Sequence, residues 1–231
     1  MNYISALATL ISIVFAAAVF SRYLRRRGAH LLYWAIGAFI YFLGSLSEAA
    51  LSVTYDPNLL KLYYLSGAML TAAWLGQGTI FLLVRKGRLA SASAAVLIAV
   101  SALAVYLIVS APITSAPYDV SLPISGQYEA ILTRSGFVVA LTIILNIYGT
   151  IGLVGGAIYS AFLFWRKQIL AHRMYGNILI AFGALLSASG GTLVLFGSID
   201  WHSLALLLGV VFMFAGYLQA VAVPADSPQP G

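Results

Sequence analysis

A chain of 231 residues that is 62% hydrophobic and only 8% charged cannot clothe a soluble globule, whose residues are ordinarily about 25% charged. Its formal charge of +6 sits in short turns between apolar runs, which sets nucleic-acid binding aside and points to orientation in a lipid bilayer. There is no cysteine, so disulfides, thiolate metal sites and thiol chemistry are excluded.

A helix rising about 1.5 Å per residue needs roughly 20 apolar residues to cross a hydrocarbon core of about 30 Å. Residues 3–20 are the first such stretch. No basic residue precedes them, so a cleaved leader is not expected and this helix should stay in the mature protein. The stretches 31–53, 60–84 and 89–111 follow, and then 136–165, 175–196 and 203–223. None alternates with period two, as the strands of a membrane barrel must. The predicted fold is therefore all-α, a single integral membrane domain of seven transmembrane helices.

The turn after the first span carries Arg22, Arg25, Arg26 and Arg27, the turn after the third Arg85, Lys86 and Arg88, and the turn after the fifth Arg166, Lys167 and Arg173. Only Lys61 and Arg134 fall on the other side, beside Asp56, Asp119, Glu129 and Asp200. The positive-inside rule then places the N-terminus outside and the C-terminus in the cytoplasm, in a multi-pass protein of the cell membrane. The one long connection, 112–135, contains three prolines. It is expected to be an external surface loop, with a cap over an external vestibule as the sharper reading. The tail 224–231, rich in proline and small residues, reads as a disordered end.

An offset of 142 lays the chain over itself. From Ala29 to Gln77 it gives 13 identities in 49 positions, including His30 with His172, Ser45 with Ser187, Gly67 with Gly209 and Gln77 with Gln219. Composition alone would give roughly a tenth. Residues 1–88 and 136–223 thus read as two three-helix units of parallel orientation, with 89–135 supplying a linker helix and the external loop. This three-plus-one-plus-three plan resembles that of the SWEET and PQ-loop families of seven-helix carriers and, in layout, of microbial rhodopsins. The resemblance covers all seven spans and rests on no shared residue. No Pro-Gln signature is present, no proline lies inside a span, and the seventh span has no lysine for a retinal Schiff base.

An ionisable residue in a span costs at least about 2.5 kcal/mol and is a functional candidate. Glu48 is that residue, on one helical face with Tyr41, Ser45 and Ser52. Gly37 and Gly44 lie close to this face, which should look into the bundle. Glu48 is expected to line an outward-facing cavity, bonded to Tyr63 or Tyr64, or else to reach headgroup water. Gln77 shares a face with Gly67, Thr71 and Trp74, and Gln219 with Gly209, Phe212 and Gly216. The two glutamines are expected either to meet a ligand on the axis between the units or to tie helix to helix. Asn146 and Tyr148 are weaker candidates of the same kind.

His30 and His172 adjoin arginines and read as interfacial groups. Gly149, Gly152, Gly155 and Gly156, with Gly183, Gly190 and Gly191, read as close-packing surfaces. The candidate ligand set is accordingly Glu48, Tyr41, Ser45, Trp74, Gln77, Asn146 and Gln219. Six scattered carboxylates assemble neither a nucleophile with its base nor a metal cluster, so no enzyme activity, metal or cofactor is expected. The expected partners are the lipid bilayer and a small-molecule ligand, with a second copy or another membrane protein beside them. The leading reading is a small-solute carrier. The alternative is a sensor that signals through a separate partner.

Overall fold

In lipid, backbone N–H and C=O groups must be satisfied within the segment that carries them, and helices do this. The computed structural model describes residues 3–84, 88–167, 171–195 and 200–222. Among them the only β pairing is a single bridge between Ile113 and Leu132. The long helices are α1 (Tyr3–Arg26), α2 (Ala29–Leu51), α3 (Pro57–Leu83), α4 (Arg88–Val109), α5 (Gly136–Lys167), α6 (Ala171–Leu195) and α7 (Asp200–Val221).

Over the described residues six of them, α1 to α5 and α7, are long and apolar enough to cross a membrane. The chain is a multi-pass membrane protein. The expected span 175–196 falls on α6 (Ala171–Leu195), whose last turns fall among residues not fully described.

Local sequence sets the helix ends. Asp56 caps α3 by accepting from the backbone N–H of Asn58 at 2.6 Å and of Leu59 at 3.1 Å, with Pro57 at the first helical position. Ser135 caps α5 through the N–H of Val138. At the end of α1 the chain turns on Arg27, at φ 52°, a left-handed closure more usual for glycine. Its N–H donates to the Tyr23 carbonyl and its guanidinium lies over the Tyr23 ring.

Six helices close a ring in the order α1, α2, α3, α5, α6, α7, with α7 returning to α1. The remaining helix, α4, leans on α3 from outside. Only 22% of its apolar window is buried, against 56% for α3, so α3 is central and α4 faces lipid. Small residues bring the ring helices together, as packing in lipid requires. A Cβ on Gly76 of α3 would meet the Gly149 carbonyl of α5 at 2.7 Å, one on Gly44 would meet Gly67 at 2.9 Å, and one on Gly183 would meet the Gly209 carbonyl at 2.6 Å. Gly155, by contrast, faces open space.

Two helices contain wide π turns, at Tyr64–Leu70 in α3 and Ile151–Gly155 in α5. Such turns are rare and recur at functional sites.

Alternating helix directions gather the described basic residues of the α1–α2, α3–α4 and α5–α6 turns at one end, and the long connection at the other. Toward the basic end the bundle is filled by Phe15, Val19, Leu31, Leu153, Val210 and Met213. Toward the loop end the connection folds down on the helices. Ile124, Ile131 and Leu132 are buried in it, and Tyr118 donates to the Leu51 carbonyl at 2.6 Å. The connection thus forms a lid pinned to the helices at these residues, while residues 119–122 stay on the surface. The tail 224–231 lies outside the described residues.

Candidate functional site: a cavity beneath the loop

Beneath that lid lies a cavity of about 480 Å³, walled by α2, α3, α5, α6, α7 and the loop. Its size falls in the range of small-molecule sites. Hydroxyls and rings set its polar surface. From α2, Tyr41 donates across the bundle to the Leu206 carbonyl of α7 at 2.6 Å and lies 3.2 Å from Ser187 Oγ of α6. Ser45, one turn on, lies 3.2 Å from Ser12 Oγ of α1.

The π turn of α3 carries the next part of the wall. Thr71 sends both its N–H and its hydroxyl back five residues to the Ser66 carbonyl. Tyr64 Oη is 3.0 Å from Thr142 Oγ1 of α5, and Asn146 donates to the carbonyls of Ala68 and Thr142 at 2.7 and 2.9 Å. At the start of α7, His202 Nε2 is 3.3 Å from Tyr63 Oη.

Arg134 supplies the one formal charge in the wall among the described residues. Its guanidinium lies 5.3 Å from the Tyr64 ring centre and 4.9 Å from that of Tyr128, and it pairs with Glu129 at 2.9 Å. Burial works against its charge, but bonds to Tyr64 and Glu129 more than offset this and raise its pKa. Burial also pushes the Tyr128 phenol up, against the pull of Arg134, so it stays neutral.

Three wall atoms are buried with no hydrogen-bond partner: Ser125 Oγ, Arg134 Nε and His202 Nδ1. Leaving such a group unsatisfied costs roughly 1–3 kcal/mol. All three belong to residues that line this one cavity.

The sequence candidates divide around this cavity. Tyr41, Ser45 and Asn146 line it. Glu48, one turn beyond Ser45, is 3% exposed and sits behind the wall, so it does not reach headgroup water. Its carboxylate accepts from Ser203 Oγ of α7 at 2.5 Å, rather than from Tyr63 or Tyr64.

Trp74, Gln77 and Gln219 lie away from the cavity. Trp74 donates to Ser101 of α4 at 3.1 Å and stacks on Tyr33. Gln77 is wholly buried. Its Nε2 donates to the Ala90 carbonyl and to Ser93 Oγ, both at 3.1 Å, while its Oε1 accepts from Tyr148. Gln219 is exposed near the end of α7. The two glutamines do not converge on an axis, because α3 turns its glutamine toward α4 while α7 turns its own outward.

Sequence reasoning missed Ser125, Tyr128, Arg134 and His202. A signal for His202 was present, since it alone of the three histidines has no arginine beside it. Among the described residues no three of the His, Cys, Asp and Glu side chains gather as a metal site would need.

No protein-family model matches this chain, and no curated protein does. Function is read from the cavity.

Proposed function

We propose that this protein admits a small ligand from the outer side of a cell membrane into the cavity beneath the loop, and that it works as a carrier or facilitator. The observation that carries this is the cavity itself, a mostly apolar wall with a few placed polar groups, lying under the lid and lined by residues that hold three unsatisfied buried atoms. In this reading α6 is the seventh span. The basic end is cytoplasmic by the positive-inside rule, so the lid faces outward. No reaction is assigned to the site.

The parallel repeat supports a rocking of two units about the site. Gly67 and Gly209, equivalent in sequence, each stand at a close helix crossing within their own unit. One observation favours the sensor instead: the packed residues beneath the cavity, Phe15, Leu153 and Met213 among them, leave a one-ended pocket.

Flux into liposomes reconstituted with the full chain separates the two. A carrier is expected to give saturable uptake of a solute that also stabilises the protein, and Asn146→Trp, which fills the cavity, should abolish it. Stabilisation without uptake or counterflow would sink the carrier reading and leave the sensor.

A further inference from the structure

We infer that the cavity takes a single-chain organic anion from the lipid side, with its charged head at Arg134 and its apolar body between the outer arms of α5 and α6. This rests on reading the cavity as a ligand site, and adds the chemistry of what fills it.

The head end is set by charge. Arg134 is the wall's one formal charge among the described residues, with no carboxylate of the wall opposite it. Its side chain is 15% exposed, whereas its partner Glu129 is 59% exposed and so pairs from the water side. A guanidinium carries five N–H donors in a planar fork suited to a carboxylate. Here Nε is buried and unpartnered, and Ser125, itself 2% exposed, offers a second unpartnered donor on the same wall. The rings of Tyr64 and Tyr128 hold the guanidinium by its face, and a cation would be repelled.

The body end is set by exposure. Ile143 and Ile147 of α5 line the cavity, yet they are 54% and 55% exposed. A side chain can do both only where the wall is one residue thick and opens sideways. The helix packing agrees. Near the basic end α5 lies along α6 through Gly156–Lys167, while its outer arm, Gly136–Thr150, meets little of α6 among the described residues. The gap faces the depth at which lipid chains lie. A wholly polar anion entering through the lid would leave this apolar side unfilled.

The test uses the full chain in phosphatidylcholine nanodiscs, with thermal unfolding as readout and dodecanoate, dodecanol and phenylacetate as probes. Dodecanoate is expected to raise Tm saturably, with dodecanol at least about tenfold weaker, because a charge-assisted pair is lost. Arg134→Ala should erase that preference, and Arg134→Lys should restore it in part. Glu129→Gln, which frees the guanidinium, should tighten dodecanoate by about threefold. Ile147→Trp, which narrows the side opening, should weaken it.

Should Arg134→Ala fail to fold, Ser125→Ala and Glu129→Gln decide the matter, and no change in either overturns the head assignment. Equal binding of dodecanoate and dodecanol overturns the anion class but leaves the ligand site. Binding of phenylacetate without dodecanoate overturns entry from lipid. Tm unmoved by all three probes overturns the inference, while the cavity reading then stands or falls with the flux assay.

Discussion

Gly67 on α3 and Gly209 on α7 stand 142 residues apart and occupy close crossings of their own hairpins, the first against Gly44, the second against Gly183 and Ser187. Gln77 and Gln219, the same distance apart, share only their identity: one is locked among α4 and α5, the other faces outward. Backbone contact between helices tolerates little change, because any added atom must displace a whole helix. A polar side chain answers to its helix's rotation and neighbours, which differ between α3 and α7. Gln77 meets α4, and among the described residues no helix stands so beside Gln219.

The crossings themselves are unequal, and this gives the largest expected effect. A Cβ at residue 209 would press on the Gly183 carbonyl at 2.8 Å and on the Ser187 side chain, whereas one at residue 67 would meet Gly44 at an ordinary 3.8 Å. Gly209→Ala should therefore destabilise by about 2–3 kcal/mol, and Gly67→Ala by under about 1 kcal/mol. Equal losses in unfolding measurements on the detergent-solubilised chain would remove the distinction.

The glutamines come next. Gln77→Leu takes one acceptor from the Tyr148 hydroxyl, which keeps its bond to Ser93, and removes two bonds to α4, an expected cost of about 1–2 kcal/mol. Gln219→Leu should stay within about 0.5 kcal/mol of the parent. A loss at residue 219 as large as at residue 77 would mean that the second glutamine has a partner too.

The behaviour of Glu48 sharpens the contrast further. Its partner by the 142-residue offset is Gly190, so this bond to α7 has no twin. Glu48→Ala leaves the Ser203 hydroxyl without its carboxylate and should cost about 1 kcal/mol or more. Glu48→Gln, which keeps an acceptor, should recover most of it.

The smallest effect belongs to the lid. The hydroxyl and N–H of Ser121 hold the Asp119 carboxyl below the usual carboxylate range. A lowered folded pKa contributes stability above the unfolded value and loses it as pH falls through the folded value. Hydrogen exchange in residues 119–127 should therefore quicken under acid, and Asp119→Asn should flatten that dependence.

How far the sequence could be read follows the same division. Helix positions were legible because lipid demands about 20 apolar residues in a row, and Tyr41, Ser45 and Asn146 because a polar face at helical spacing has to turn from lipid. The glutamines were not, since identity at equivalent positions says nothing of which neighbour a helix face meets. Nor could Arg134 and Ser125 be placed, for the lid's fold depends on burying Ile124, Ile131 and Leu132 against helices distant in the chain. The two π turns left no trace in spacing either.

One of those turns has a practical use. Gly155 closes the wide turn of α5, between the outer arm, which meets little of α6 among the described residues, and the inner arm that lies along it, and a side chain added there meets nothing within 4 Å. The chain has no cysteine. A thiol introduced at residue 155 would therefore be unique, and a spectroscopic label on it would report directly on whether α5 flexes there when the cavity fills.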